Sequence, residues 1–229
     1  KEIKCKPNTG FLAIYHLLSM NPKSLKVYGF SFYLDGFIPG QKSGVENEKK
    51  CTEESVGNTG STHPRSAYID SKRFGESFIV NCFNNYTIFR ACLIYGPGVK
   101  LNDERVLNQV ILRAIKNKKI DIYGGLKQLR SNLFISDAIK MMVKITVKSK
   151  NQIFNLNNHK MITLGKIFSM IGKISNKKVV NRGSKMIGSP KVIRISNRKI
   201  LKTINYKISV DIKEGLLRTI EWYKYLILV

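Results

Sequence analysis

Ser66-Ala67-Tyr68-Ile69-Asp70-Ser71-Lys72-Arg73-Phe74-Gly75-Glu76, reached through His63-Pro64-Arg65, is the stretch whose reading decides the fold. A proline at the approach, small polar residues in the first turn and good helix formers after them predict a helix running to about Asn84. On a helix, Tyr68 and Lys72 lie four apart and share one face, with Cβ atoms about 5–6 Å from each other. A free tyrosine has a pKa of about 10, and a cation held beside it favours the phenolate. The pair therefore suits proton transfer to and from a hydroxyl or carbonyl. The same spacing also suits a solvated surface pair. Tyr123 and Lys127 repeat it, but Gly124-Gly125 argues for a turn there.

Outward from this helix, the pattern alternates. Residues 11–18 place Phe11, Ile14, Tyr15, Leu17 and Leu18 at helical spacing, and Asn21-Pro22 ends the run. Leu25-Lys26-Val27-Tyr28-Gly29-Phe30-Ser31-Phe32-Tyr33 reads as a strand. A polar loop over 45–60 leads to the Tyr68 helix. Tyr86-Thr87-Ile88-Phe89-Arg90-Ala91-Cys92-Leu93-Ile94-Tyr95 reads as one buried strand closed by Gly96-Pro97-Gly98. Asn102 to Val106 opens a further helix, and Ile120-Asp121-Ile122-Tyr123 and residues 128–135 are extended. Asp137 is expected to cap a helix through Met141, Met142, Ile145 and Val147. A strand over 153–157, a helix around 164–174 and a C-terminal helix carrying Leu216, Leu217, Ile220, Trp222 and Tyr223 complete the chain.

The expected fold class is α/β: an incomplete Rossmann-like parallel sheet with a smaller mixed α/β substrate domain. The expected divisions are 1–44, a helix–strand fragment; 45–100, the half containing the Tyr68 helix; and 101–229, the substrate-binding part. The 229 residues carry a net charge of +25, spread along the chain and not gathered in one basic block. That favours attraction to phosphate-bearing small substrates over specific nucleic-acid binding. Cys5, Cys51, Cys82 and Cys92 lack ligand spacing and read as reduced thiols, which points to a cytoplasmic protein with no metal site. No apolar run is long enough to span a bilayer.

From Thr52 to Tyr225 the order of motifs resembles the extended short-chain dehydrogenase/reductase family, the NAD-dependent nucleotide-sugar epimerases and dehydratases. UDP-glucuronate decarboxylases and dTDP-glucose dehydratases are the nearest in appearance. The blocks are Thr52-Glu53-Glu54 with the Tyr68 helix; Arg90 through Tyr95-Gly96-Pro97-Gly98; Asn102-Asp103-Glu104-Arg105-Val106; Ile122-Tyr123-Gly124 through Gln128, Arg130 and Asp137; and Phe154-Asn155-Leu156-Asn157-Asn158. The resemblance implies Tyr68 as acid/base on a sugar hydroxyl and Lys72 as the cation that activates it and contacts the nicotinamide ribose. It implies Arg105 and Arg130 on the nucleotide-phosphate side of a UDP- or dTDP-sugar, and NAD as cofactor. A guanidinium fork suits phosphate oxygens.

Residues 1–44 resemble instead a sialyltransferase-like glycosyltransferase fragment, through Pro7-Asn8-Thr9-Gly10-Phe11 and Val27-Tyr28-Gly29-Phe30-Ser31-Phe32. That resemblance implies a CMP-sugar, and a non-enzymatic remnant held to acidic partners by charge is a further alternative. Several positions depart from the dehydrogenase pattern. No Gly-x-Gly-x-x-Gly turn precedes Tyr68 to cradle a pyrophosphate, and Ser43 is the one nearby substitute for the third catalytic hydroxyl. Leu93 stands where the family usually has a substrate-binding asparagine. The expectation is a truncated, chimeric homologue of low or no independent activity, completed by a second chain or a homo-oligomer.

Overall fold

The computed structural model describes residues 51–55, 60–63, 66–101, 103–183 and 194–228. Ser43 and the helix and strand expected over 1–44 lie outside the described residues. Helix α1 (Ser66–Cys82) leads into β1 (Thr87–Ala91) and β2 (Leu93–Tyr95), then α2 (Val106–Lys116), β3 (Lys119–Ile122) and β4 (Leu129–Phe134). Helix α3 (Ile135–Lys148), β5 (Gln152–Leu156), β6 (Met161–Thr163), α4 (Leu164–Ser175) and β7 (Lys178–Asn181) follow. Helices α5 (Arg198–Ile204) and α6 (Ile212–Leu228) end the described chain.

The architecture is α/β with parallel strand pairs, as the alternation predicts. Strand β1 pairs with β5, β2 with β4 and β3 with β7, all parallel, while β6 joins β4 antiparallel. Strands from both sides of residue 100 therefore share a sheet. The apolar run over 86–95 is two strands and not one. At Cys92 the chain changes neighbour: the Cys92 N–H donates to Leu156 O at 3.0 Å, and the next residues turn to β4. An uninterrupted apolar run cannot reveal such a change of partner, because both halves are buried.

Two cores flank these strands. One gathers Ile111, Ile120, Ile167, Phe168, Ile171, Leu216 and Tyr223 between α2, α4 and α6. The other gathers Phe89, Leu133, Met141, Ile145, Phe154 and Ile200 under α3 and α5. Ala138, Met141 and Ile145 recur at helical spacing, so α3 turns one face to the second core. Gly215 lies inside α6 because a Cβ there would collide with the Tyr95 hydroxyl and the Phe134 ring. Helix α1 is less embedded, with Ile69 and Ile79 its buried residues. No described helix is long and apolar enough to cross a membrane.

Strands β6 and β7 and helix α5 are absent from the sequence reading. The first two are three and four residues long, and Arg198-Lys199-Ile200-Leu201-Lys202-Thr203-Ile204 mixes cations with its few apolar residues. Such segments carry too little periodicity to stand out.

Asp137 corrects another expectation. It does not cap α3, whose cap position is Phe134 with no side-chain bond. It sits fully buried in the first turn and reaches out to residues 206–210. Its Oδ1 accepts from the Tyr206 hydroxyl (2.6 Å), the Ser209 hydroxyl (2.7 Å) and the Ser209 N–H (3.1 Å), and its Oδ2 accepts from the Val210 N–H (3.0 Å). Burial pushes the Asp137 carboxyl up, but the bonds from Tyr206, Val210 and Ser209 outweigh it and hold the pKa below the ordinary carboxylate value. Burial and the Asp137 carboxylate push the Tyr206 phenol up to about 12.

A depressed carboxylate stabilises the fold above its unfolded pKa of about 3.9, and the contribution disappears as pH falls through the folded value. The raised Tyr206 phenol adds stability below about pH 10, lost as pH climbs toward about 12. Asp137→Asn is accordingly expected to cost about 2 kcal/mol in urea unfolding at neutral pH, the range for a hydrogen bond to a charged group. The gap to wild type closes as pH falls through the depressed folded value, where both side chains are neutral.

Candidate functional site

The site is built from the first two turns of α1. The Ser66 N–H donates to His63 O at 2.8 Å and the Ser66 hydroxyl to Ser61 O at 2.7 Å, so the preceding turn is fastened to the helix start. Tyr68 and Lys72 are both half-buried. The Lys72 Nζ lies 5.5 Å from the centroid of the Tyr68 ring, within the range of a cation–π contact. Burial pushes the Lys72 ammonium below the ordinary lysine pKa. The structure thus brings the expected pair together on one face, with the cation partly stripped of water beside the phenol.

Helix α1 packs Ile79 against Ile88 of β1, and a buried ion pair joins the same two elements. Arg90, on β1, grips both oxygens of Glu76: Nη2 donates to Oε1 at 2.6 Å and Nε to Oε2 at 3.2 Å. The side chains are only 6% and 11% exposed. Arg90 Nη1 also donates to the backbone carbonyl of Glu53 at 2.7 Å. Glu76 stands one turn beyond Lys72 and two beyond Tyr68, so the clamp and the pair lie along the same side of the helix. A buried ion pair in paired, fork-shaped geometry fixes rotation as well as distance.

The sequence places Arg90 in a matching block and Glu76 at the end of the quoted helix stretch, and assigns neither a role. The signal was present: an arginine inside an otherwise apolar strand must find a carboxylate or carbonyl, because an unpaired buried charge is prohibitive.

The two arginines expected on the substrate side are each engaged locally. Arg105 is the cap residue of α2 and exposed, with its Nε donating to the Asp103 carboxylate at 2.9 Å. Arg130, on β4, is buried; its Nη1 donates to Leu129 O at 2.8 Å and its Nη2 to Gln128 Oε1 at 3.0 Å. Arg105 reaches toward Ile94 O on β2 at 3.5 Å, and β2 is the strand beside β4. Both arginines therefore belong to the β2–β4 side of the molecule. Ser43 lies outside the described residues. Among the described residues no group of three or more His, Cys, Asp or Glu side chains is placed to hold a metal ion.

The family model described as "NAD dependent epimerase/dehydratase family" matches residues 42–156, just over half of the chain. UDP-glucuronic acid decarboxylase 1 of Xenopus tropicalis is 22% identical over 180 residues, covering 76% of this chain and 42% of that protein. UDP-glucuronic acid decarboxylase 1 of Arabidopsis thaliana is 23% identical over 177 residues, covering 75% and 41%. The chain thus spans under half the length of these relatives. Among solved structures, UDP-glucuronic acid 4-epimerase from Bacillus cereus in complex with UDP-glucuronic acid and NAD superposes with a TM-score of 0.74 at 23% identity. That match covers 95% of this chain and 68% of that one. The dTDP-glucose 4,6-dehydratase of Bacillus anthracis, in complex with NAD, gives 0.71 at 16% identity, covering 93% and 66%. These structural likenesses establish the fold.

Breaking the clamp from one side has a defined consequence. Arg90→Leu leaves the Glu76 carboxylate buried and alone, and urea unfolding is expected to show a loss of about 3–5 kcal/mol. Removing both charges in Arg90→Leu/Glu76→Leu recovers most of that loss, because an apolar pair of similar volume is about as stable as a buried ion pair. A loss in the double variant equal to the sum of the Arg90→Leu and Glu76→Leu losses would show that the pair is not coupled.

Proposed function

The chain belongs to the NAD dependent epimerase/dehydratase family, and from that premise we propose that its Tyr68–Lys72 pair performs acid/base chemistry on the sugar of a UDP- or dTDP-linked substrate. The observation that carries the reading is the half-buried Lys72 ammonium 5.5 Å from the Tyr68 ring on a helix clamped to the sheet. A desolvated cation at that distance stabilises negative charge on the phenol oxygen, so Tyr68 takes a proton from a sugar hydroxyl and returns it to a carbonyl.

The donors at this pair fit one end of the implied cofactor: the Lys72 ammonium and the Tyr68 hydroxyl are the groups that would hold a nicotinamide ribose. Bound NAD supplies hydride acceptance and donation at the sugar carbon. No Gly-x-Gly-x-x-Gly turn precedes Tyr68 in the sequence to cradle its pyrophosphate. Arg130 and Arg105 serve the nucleotide phosphates in this reading. Arg130 does so by turning its guanidinium from Leu129 O and Gln128 Oε1 to the phosphate oxygens. Ser43 is the candidate for the third hydroxyl. Cys51, Cys82 and Cys92 are free thiols, which suits a reducing cytoplasm. We place the pyrophosphate-binding function on another segment or a second chain and assign these 229 residues little independent turnover.

Calorimetry and product chromatography test this reading. UDP-glucuronate or dTDP-glucose is expected to bind, with Arg130→Ala weakening the affinity about tenfold, or about 1.4 kcal/mol. NAD⁺ binds more weakly than micromolar, and conversion is slow or absent. Failure to bind any UDP- or dTDP-sugar, with protection by CMP instead, contradicts the substrate assignment. Micromolar NAD⁺ binding together with UDP-sugar turnover contradicts the assignment of low activity.

A further inference from the structure

Glu53 uses both of its acceptors to join elements that are remote in sequence. Its backbone carbonyl accepts from Arg90 Nη1 at 2.7 Å, and its Oε1 accepts from the Asn155 N–H at 2.9 Å. Strand β5 pairs with β1 along one edge, and in a parallel ladder alternate N–H groups point away from that neighbour. The Glu53 carboxylate therefore satisfies a donor on the open edge of β5. The same short segment is laced to residues 194–197: the Cys51 N–H donates to Arg194 O (2.9 Å), and the Ser196 N–H donates to Cys51 O (2.8 Å). Asn155 Nδ2 closes the circuit on Ser196 O at 3.1 Å.

We propose that Glu53 is a positioning residue for the Tyr68–Lys72 pair, acting through Arg90 and Glu76. The inference rests on the acid/base reading of that pair and names a residue which the reading itself does not require. The physical need is specific. Helix α1 buries Ile69 and Ile79 and little else among the described residues, so apolar packing alone fixes its rotation weakly. Glu76 lies about 6 Å along the axis from Lys72 and about 12 Å from Tyr68, at 1.5 Å per residue. Slack in the Arg90 guanidinium therefore becomes slack in both functional side chains. Arg90 has three nitrogens; two hold Glu76 and the third is held by Glu53. With the Glu53 carboxylate anchored on Asn155, its carbonyl cannot drift away from Arg90, and the guanidinium plane is set from the sheet side. A misplacement of only about 1 Å is enough to cost on the order of a hundredfold in a reaction of this kind.

Amide hydrogen exchange read by mass spectrometry, with competitive labelling of lysines across pH, tests the proposal without any need for turnover. Glu53→Ala is expected to speed exchange at least tenfold in peptides covering 51–55 and 66–82 while leaving α2 and α6 unchanged. In the same variant the Lys72 amine, held down by burial, returns toward the ordinary lysine value of about 10.4. Glu53→Gln, which keeps an acceptor oxygen for Asn155, restores both readouts to wild type. Unchanged exchange in 66–82, an equal rise throughout the chain, an unmoved Lys72, or failure of the glutamine to rescue overturns it. These readouts are independent of nucleotide-sugar binding. Loss of the substrate reading would leave the clamp standing, and loss of the clamp would leave the substrate reading standing.

Discussion

A positive charge inside a strand sets the terms for this structure. Arg90 is the fourth of the five residues of β1, where its neighbours Phe89 and Ala91 are buried apolar side chains, and it must be neutralised within reach of its own guanidinium. Glu76 meets that requirement from the helix and the Glu53 carbonyl from the preceding segment. The helix that carries Tyr68 and Lys72 is thereby joined to the sheet by a buried ion pair as well as by the Ile79–Ile88 apolar contact. Such a pair contributes little net stability compared with an apolar replacement, but it admits one rotation of the helix and penalises others. That is the property a proton-transfer pair needs.

The opposite side of the molecule uses the same device in a different form. Asp137 is buried and is satisfied by hydroxyl and backbone donors from 206–210. It fastens the approach to α6 onto the start of α3. Between these two anchors runs a seam of asparagines. Asn155 and Asn157 donate to the carbonyls of Ser196 and Ile195, and Asn197 donates back to Asn157 O. The seam joins the end of β5 to the segment leading into α5. Among the described residues, the buried amide oxygens of Asn132, Asn155 and Asn157 meet no donor.

The sequence showed some of these levels and hid others for identifiable reasons. Helix α1 was legible from its start signals and helix formers, α3 and α6 from their apolar residues, and the Tyr68–Lys72 pair from its four-residue interval. The division of the run over 86–95 was not legible, because burial on both faces erases the alternation that would mark a change of partner. Asp137 was misread as a cap, since an acidic residue near a helix start has the same appearance whether it bonds its own helix or a loop seventy residues away. The buried positions of Arg130 and Arg90 are identical in composition terms, yet one is held by its own strand and the other clamps a helix. Only the strand order separates those two outcomes.

Titration of the protein with tyrosines labelled at the ring Cζ carbon, followed by nuclear magnetic resonance, tests the central claim most directly. The adjoining ammonium predicts that the midpoint of the Tyr68 signal, identified by its absence in Tyr68→Phe, depends on Lys72. Lys72→Met is predicted to move that midpoint upward and leave the others in place. A Tyr68 signal indifferent to Lys72 would contradict the account.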